Sequence, residues 1–159
     1  GLCTIGRNAF YGCYWMTEIV IPTTVKTIGD WSFAHVPLES LSLPDGIEGM
    51  GRYTFCNCRF TTLRIPRLIT TKPEKLLCNC NTMFSLELGE SNIAQIGGRT
   101  FESCRSLRNI TLPSNAEEGR MMFEDCRDLQ QLFDSGLKEE LNNTTNLRVQ
   151  NLQKVKNGT

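Results

Sequence analysis

A unit of 22 to 24 residues recurs along the chain, and this repeat constrains the fold more than any other feature. Its clearest copy, from Ile96 to Pro113, reads IGGRTFESCRSLRNITLP. The aromatic position of this copy recurs at intervals of 23, 22, 22, 24 and 22 residues, in Phe10, Phe33, Phe55, Leu77, Phe101 and Phe123. Three residues later stand Cys13, Val36, Cys58, Cys80, Cys104 and Cys126. One unit buries too few apolar side chains to fold alone, so the pattern predicts a solenoid of stacked units.

Each unit also contains two apolar residues separated by a single residue. The pairs are Ile19/Ile21, Leu41/Leu43, Leu63/Ile65, Leu86/Leu88 and Ile110/Leu112. This period of two predicts one short strand per unit with one face buried. Proline follows four of the pairs and ends the strand, because it has no amide hydrogen for a ladder. The aromatic residue and the cysteine three positions later fit one side of a short helical turn that faces the core.

These anchors resemble the BspA-like leucine-rich repeats, whose unit runs approximately IGxxAFxxCxxLxxIxIPxxV. The segments GRNAFYGC at 6–13 and TEIVIPTTVKTIG at 17–29 match that unit closely. Two departures are Lys72-Pro73 in place of Ile-Gly and Val36 in place of a cysteine. The resemblance implies a β-rich solenoid of the α+β class, a right-handed leucine-rich repeat superhelix. Each 22–24-residue unit would place one short strand on the concave side and a short helical turn on the convex side.

The repeat organises residues 1–159 as one solenoid domain. Six units precede an eroded seventh at about 137–159, in which Val149, Leu152 and Val155 occupy repeat positions. Eroded terminal units often act as caps, so we expect this one to close the C-terminal end. The chain has no initiator methionine and opens beside a repeat anchor, so we expect it to be a segment of a longer array.

Charge and composition argue against several classes of function. Seventeen lysines and arginines balance seventeen aspartates and glutamates, so nothing indicates binding to nucleic acid or to an anionic membrane. No apolar run is long enough to span a bilayer. The single histidine, His35, lacks a serine in a recognisable nucleophile context, and the glycine pairs lack the Lys-Ser/Thr of a phosphate loop. We therefore expect no catalytic residues, no cofactor and no metal.

The outward residues of the predicted strands form the main candidate site. In a solenoid these residues make one continuous surface on which partners usually dock. The surface is polar and of mixed charge, which suits hydrogen-bonded contact with a protein or a glycan. Its residues are Glu18, Val20, Ser40, Ser42, Thr62, Arg64, Ser85, Glu87, Asn109, Thr111, Gln131 and Phe133.

An aromatic patch near the N-terminal units is a second candidate site. It comprises Tyr11, Trp15, Trp31 and Tyr53, and the last two share one repeat position in adjacent units. Aromatic residues are enriched at the energetic centres of interfaces. The alternative is that these rings only cover gaps between units.

The eight cysteines invite a redox interpretation. Five occupy the inward repeat position, where a free cysteine behaves as a small buried apolar residue. Cys56 and Cys78 share another position in adjacent units, so their Cα separation should approach the strand spacing of about 4.8 Å. That distance lies within the disulfide range of about 4.4–6.8 Å. Two states remain open: a disulfide that joins units three and four, or two exposed reduced thiols.

Glycosylation sequons provide a further pair of candidates. Asn142 and Asn143 each begin an Asn-X-Thr pattern in a polar stretch, and they would be the acceptors if the chain were secreted by a eukaryote.

Two hypotheses of function follow. The first is a non-catalytic binding module at the cell surface or outside the cell, which holds a host or matrix protein in adhesion or recognition. The second is an intracellular structural subunit, a scaffold held within a large assembly with its thiols reduced. An enzyme is the third and least favoured class.

Overall fold

The computed structural model of the chain describes residues 1–66, 68–71, 73–87, 98–111 and 124–128. Its strands are β1 (Thr4–Ile5), β2 (Thr27–Ile28), β3 (Gly49–Met50), β4 (Thr62–Arg64), β5 (Ser85–Glu87) and β6 (Asn109–Thr111). All pairings are parallel. The strands form two sheets, sheet A in the order β1-β2-β3 and sheet B in the order β4-β5-β6. We number the repeat units as coils one to six. The expected cap at 137–159 lies outside the described residues.

Sheet B lies where the sequence predicts strands, in coils three to five. Leu63 of β4 is buried between exposed Thr62 and Arg64, which is the alternation expected of a strand with one buried face. The register pairs Leu63 with Leu86 and Leu86 with Ile110. Equivalent residues of successive coils therefore lie side by side, because each coil advances the chain by one strand spacing.

Sheet A lies one segment away from the predicted strands, in coils one to three. It is formed by the residues directly before Gly6, Gly29 and Gly51, with Ile5, Ile28 and Met50 buried in register. The prediction of a strand at the apolar pairs is wrong for coils one and two. Neighbouring coils are joined there by single bonds, such as the one from Glu39 N–H to the Thr17 carbonyl at 3.1 Å, and a ladder needs several in succession.

On the side opposite sheet B, the described coils have tight turns where the resemblance implies helical turns. In coil three the Cys56 amide donates to the Tyr53 carbonyl at 3.2 Å and the Cys58 amide donates to the Phe55 carbonyl at 3.3 Å. Two positions in each coil adopt a positive φ. The first holds Asn8, Trp31, Tyr53, Lys75 and Arg99, and the second holds Gly12, His35, Asn57, Asn79, Ser103 and Asp125.

Glycine, asparagine and aspartate accept this left-handed conformation readily, so the second position suits Gly12, Asn57, Asn79 and Asp125. Trp31 and Tyr53, both at φ 57°, are bulky residues for which such a conformation costs of the order of 1–3 kcal/mol. Their surroundings must supply the compensation.

Backbone hydrogen bonds join the turns of successive coils. In coil three the amides of Tyr53, Phe55 and Asn57 donate to carbonyls of coil four at 3.2, 2.9 and 2.9 Å. Every second amide of a turn thus bonds to the next coil. A buried turn without these bonds would leave polar groups unsatisfied, at a cost of about 1–3 kcal/mol each.

The core is a column of aromatic rings flanked by thiols. Phe10, Phe33 and Phe55 stack with ring centroids 5.1 and 5.6 Å apart. Each buried thiol donates a hydrogen bond to the carbonyl of the aromatic position in the preceding coil, from Cys58 to Phe33 at 3.3 Å and from Cys80 to Phe55 at 3.2 Å. Cys104 and Cys126 repeat the contact at 3.0 Å. A cysteine here fills apolar volume and also satisfies a carbonyl.

Coil four interrupts sheet A. Its Thr71 hydroxyl accepts a hydrogen bond from the Met50 amide and donates one to the Met50 carbonyl, both at 3.0 Å. A side chain therefore takes the place of a strand backbone where Lys72-Pro73 replaces Ile-Gly. Among the described residues, sheet A ends at β3.

The glycines directly after the strands of sheet A lie where neighbouring coils approach each other closely. A Cβ on Gly29 would lie 2.7 Å from the Arg7 nitrogen, and one on Gly51 would collide with the Asp30 nitrogen. We expect Gly29→Ala and Gly51→Ala to lower the free energy of unfolding by about 1–3 kcal/mol each, as overpacking does. Urea titration followed by circular dichroism measures this.

Gly6→Ala is the matched control, because its Cβ would meet nothing within 4 Å. It should leave stability unchanged or raise it slightly by restricting the unfolded chain. Equal losses in all three variants would show that the close approach of the coils is not the cause.

Candidate functional site

The strand face, which we define as the residues on either side of Leu63, Leu86 and Ile110 in sheet B and their equivalents in coils one and two, contains the first candidate site. Sheet B aligns these residues in two columns by its register. One column holds Thr62, Ser85 and Asn109, and the other holds Arg64, Glu87 and Thr111. The backbone fixes the spacing within each column, because each pairing is made by the ladder itself.

Coils one and two contribute the rest of the described strand face. Glu18, Val20, Ser40 and Ser42 are exposed, and Val20 is 91% exposed. These four residues belong to segments without strands. Within the strand face, only the residues of sheet B are therefore held beside one another by a ladder. Two members of the predicted set, Gln131 and Phe133, lie outside the described residues.

Arg64 is the cationic group of the strand face. Its guanidinium contacts the Asp45 carboxylate at 2.9 Å, with the two side chains 50% and 75% exposed. Such an exposed pair contributes only about 0–1 kcal/mol, and a guanidinium has five N–H donors. Arg64 therefore retains donors for a partner while the ion pair holds it in place.

Sheet A exposes hydroxyl groups that the sequence analysis does not single out. The Thr4 and Thr27 hydroxyls lie 2.9 Å apart and hydrogen bond to each other across β1 and β2. The Thr-Ile pair directly before Gly6 and Gly29 could have indicated a strand. That signal was assigned to the turn.

The aromatic patch separates into a packed part and an exposed part. Trp31 and Tyr53 stack with ring centroids 4.0 Å apart, and the Lys75 ammonium lies 5.6 Å above the Tyr53 ring. Tyr11 meets Trp31 edge-on at 6.2 Å. Trp15 is 96% exposed. Only Tyr11 and Trp15 are therefore well placed to contact a partner.

Trp31 and Tyr53 are half-buried because they cover a small apolar cluster of Ala34, Cys56 and Cys78. This packing favours the interpretation in which the two rings close a gap between coils. It also supplies the contacts that offset their left-handed backbone. Beside them, His35 is half-buried and meets Tyr11 edge-on at 5.4 Å.

Cys56 and Cys78 are paired in the structure. A disulfide joins them, with their Cα atoms 4.7 Å apart, close to the strand spacing used to place them. The alternative of two exposed thiols is wrong, because Cys56 and Cys78 are buried, with only 4% and 3% of each residue exposed.

The remaining described cysteines are free thiols in two environments. Cys3 and Cys13 are exposed, whereas Cys58, Cys80, Cys104 and Cys126 are buried. The prediction that the cysteine of the repeat faces the core is wrong for Cys13, whose side chain is exposed. Burial raises the pKa of Cys126 to about 12 and raises the pKa values of the other three buried thiols in the same way.

Ion pairs continue the turn side beyond the aromatic rings. Lys75 contacts Glu102 at 2.8 Å and Arg99 contacts Glu124 at 3.4 Å. The hydrogen bond with Glu102 raises the pKa of Lys75. Among the described residues no three His, Cys, Asp or Glu side chains come together as a metal site, and no helix there is long and apolar enough to cross a membrane. The sequons at Asn142 and Asn143 lie outside those residues.

Comparison with known proteins gives one family and several related structures. The BspA type leucine rich repeat region matches residues 3–130 in six copies. A leucine-rich repeat protein from Bacteroides ovatus is similar over 77% of this chain and 38% of its own, with 25% identity and a TM-score of 0.59. This chain therefore spans less than half of that protein. The leucine-rich repeat protein of T. pallidum is similar in fold, with 19% identity, a TM-score of 0.62, and 87% and 76% of the two chains covered. No curated protein matches the sequence.

The two thiol environments should differ in reactivity. We expect iodoacetamide to modify Cys3 and Cys13 in the folded protein and to leave the four buried thiols unmodified, because a protonated, inaccessible thiol is a poor nucleophile. Peptide mass spectrometry after timed alkylation measures this. Equal modification of all six would contradict the burial of the thiol column.

Alkaline pH should destabilise the fold through the same thiols. Above the ordinary thiol pKa of 9.0, Cys80 of the unfolded chain loses its proton while the folded thiol keeps it. The unfolded state is thereby favoured, and the free energy of unfolding falls as pH rises. Replacing Cys80 with valine, the residue that coil two has at this position (Val36), should make that fall less steep by about 1.4 kcal/mol per pH unit.

Urea unfolding between pH 7 and pH 10 under nitrogen provides the comparison. Cys3→Val, at an exposed position, is the control and should follow the wild-type slope. Identical slopes for Cys80→Val and wild type would refute a protonated buried thiol at this position.

Proposed function

Because the chain belongs to the BspA-type leucine-rich repeat family, we propose that it is a non-catalytic module whose strand face binds a protein partner. Leucine-rich repeats of this family present a repeated backbone as an interaction surface, and fold alone does not select the partner. The proposal therefore rests on the properties of the strand face.

The observation that carries the proposal is the alignment of polar residues in sheet B. Thr62, Ser85 and Asn109 form one column and Arg64, Glu87 and Thr111 form the next, each set by strand register. A backbone that the ladder already fixes loses little freedom on binding, which reduces the entropic cost of association. A fixed array of hydroxyl, amide and charged groups suits a hydrogen-bonded protein surface, and a glycan is compatible with the same groups.

We place this activity at the cell surface or outside the cell, in adhesion to a host or matrix protein. The buried Cys56–Cys78 pair supports this location, because disulfides persist in oxidising compartments. A cap at 137–159 and further units of a longer array belong to the same proposal.

The alternative is an intracellular scaffold subunit within a large complex. One observation favours it: six described cysteines are free, and two of them are exposed. Secreted proteins usually pair such thiols. The partner would then be another subunit of the assembly, held by the same face.

Two arginines make a matched test of the strand face. Arg64 pairs with Asp45 at 2.9 Å on the strand face, and Arg52 pairs with Glu74 at 2.7 Å on the turn side. The arginine side chains are 50% and 60% exposed, so either alanine variant should retain the fold. We expect Arg64→Ala to weaken binding to a panel of immobilised extracellular-matrix proteins about tenfold, as loss of an interface arginine does.

Arg52→Ala should bind as wild type does, as measured by surface plasmon resonance. Loss of binding in Arg52→Ala with Arg64→Ala unaffected would move the site to the turn side. If the wild-type chain binds none of the matrix proteins, the adhesion proposal fails. Crosslinking from Ser42 and Thr62 in the native cell would then identify the assembly partner that the alternative requires.

A further inference from the structure

The described residues join coils three and four differently from the two preceding pairs of coils. Sheet A joins coil one to coil two and coil two to coil three, and it ends at β3. In coil four, Thr71 contacts Met50 with its hydroxyl instead of its backbone, and Pro73 stands where the other coils have glycine. The β4–β5 ladder of sheet B joins these two coils instead, through the register that pairs Leu63 with Leu86.

The Cys56–Cys78 pair lies at this junction. Cys56 belongs to coil three and Cys78 to coil four, 22 residues apart in sequence. Their repeat position holds Tyr11, Ala34, Glu102 and Glu124 in the other coils, so two cysteines face each other across this junction alone. Beside the pair, the Asn57 amide donates to the Cys78 carbonyl at 2.9 Å.

Two aromatic rings close the pair off from solvent. Trp31 and Tyr53 stack at 4.0 Å and pack against the cluster that contains both cysteines. Their backbones adopt a left-handed conformation that bulky residues rarely take and that persists only where surrounding contacts enforce it. Reductants reach a sulfur only by direct approach, so the rings must move before the bond can be reduced.

We propose that the Cys56–Cys78 bond is a permanent structural cross-link, shielded by Trp31 and Tyr53, that holds the turn sides of coils three and four together. It forms when one thiolate attacks a small disulfide such as oxidised glutathione, which releases one small thiolate and leaves a mixed disulfide; the second protein thiolate then attacks the protein sulfur of that mixed disulfide and displaces the other small thiolate. Two protein thiols are oxidised and the small disulfide is reduced to two thiols. The cross-link persists in an oxidising compartment, and this inference stands whether or not the strand face binds a partner.

Reduction kinetics test the shield. The oxidised 159-residue chain is treated with dithiothreitol, quenched with iodoacetamide at intervals and weighed by mass spectrometry. We expect Tyr53→Ala to be reduced about tenfold faster than wild type, because local opening is no longer needed. Tyr14→Ala is the control, since Tyr14 is exposed and should leave the rate unchanged.

Two results would overturn the shield or the bond itself. If Tyr53→Ala and wild type are reduced at the same rate, the rings do not protect the sulfurs. If the chain purified from its own cells reacts at all eight cysteines after unfolding without reductant, the cross-link does not exist there. A mass two hydrogens lower than that of the reduced chain, with six reactive cysteines, is the expected result.

A variant without the cysteines tests the role at the junction. Cys56→Ala with Cys78→Ala places at both sites the residue that coil two has at this position, Ala34, so the coils should still pack. We expect amide hydrogen exchange to accelerate at Asn57 and Phe55, which donate across the junction, while Asn8 and Phe10 of coil one keep their rates.

If all four amides of the double variant exchange at their wild-type rates, the bond does not hold the junction. If the double variant does not fold, the same exchange measurement on the wild-type chain reduced slowly in place decides the question. Acceleration confined to the junction supports the cross-link, and unchanged exchange there overturns it.

Discussion

The structure depends on backbone hydrogen bonds that pass from one coil to the next. On the turn side, alternate amides such as those of Phe33 and Phe55 bond to carbonyls of the following coil, and elsewhere two short parallel sheets do the same. Strands of two or three residues would be unstable alone. Here each is one row in a stack, and the buried aromatic and thiol columns keep the rows in register.

Much of this architecture could be predicted from the sequence, because a repeated pattern reports on every coil at once. The aromatic column, the thiol column and sheet B follow from the positions of Phe33, Cys58 and Leu63. Sheet A was missed since its Thr-Ile signal is two residues long and stands beside a glycine, which drew the interpretation to a turn. The left-handed turns were also missed, because aromatic residues such as Trp31 argue against that conformation and only tertiary packing permits it.

The two candidate surfaces also differ in how far the sequence predicts them. Repeat spacing alone could align Thr62 with Ser85, because register follows from unit length. It could not tell whether Trp31 and Tyr53 are a contact surface or a cover, since both roles place aromatic residues on the outside of a coil. Their burial against Cys56 and Cys78 depends on contacts between different coils. The repeat period gives the distance between coils, but it does not tell how deeply a side chain is buried.

The hydrogen bonds also give each coil a direction. On the turn side a coil donates to its successor, as the Asn8 amide does to the Asp30 carbonyl. An inverted coil would meet donors with donors. An array of this kind can therefore lengthen or shorten during evolution only by whole units in the same orientation. A genetic exchange inside a unit is tolerated only where both sequences are cut at the same position of the repeat.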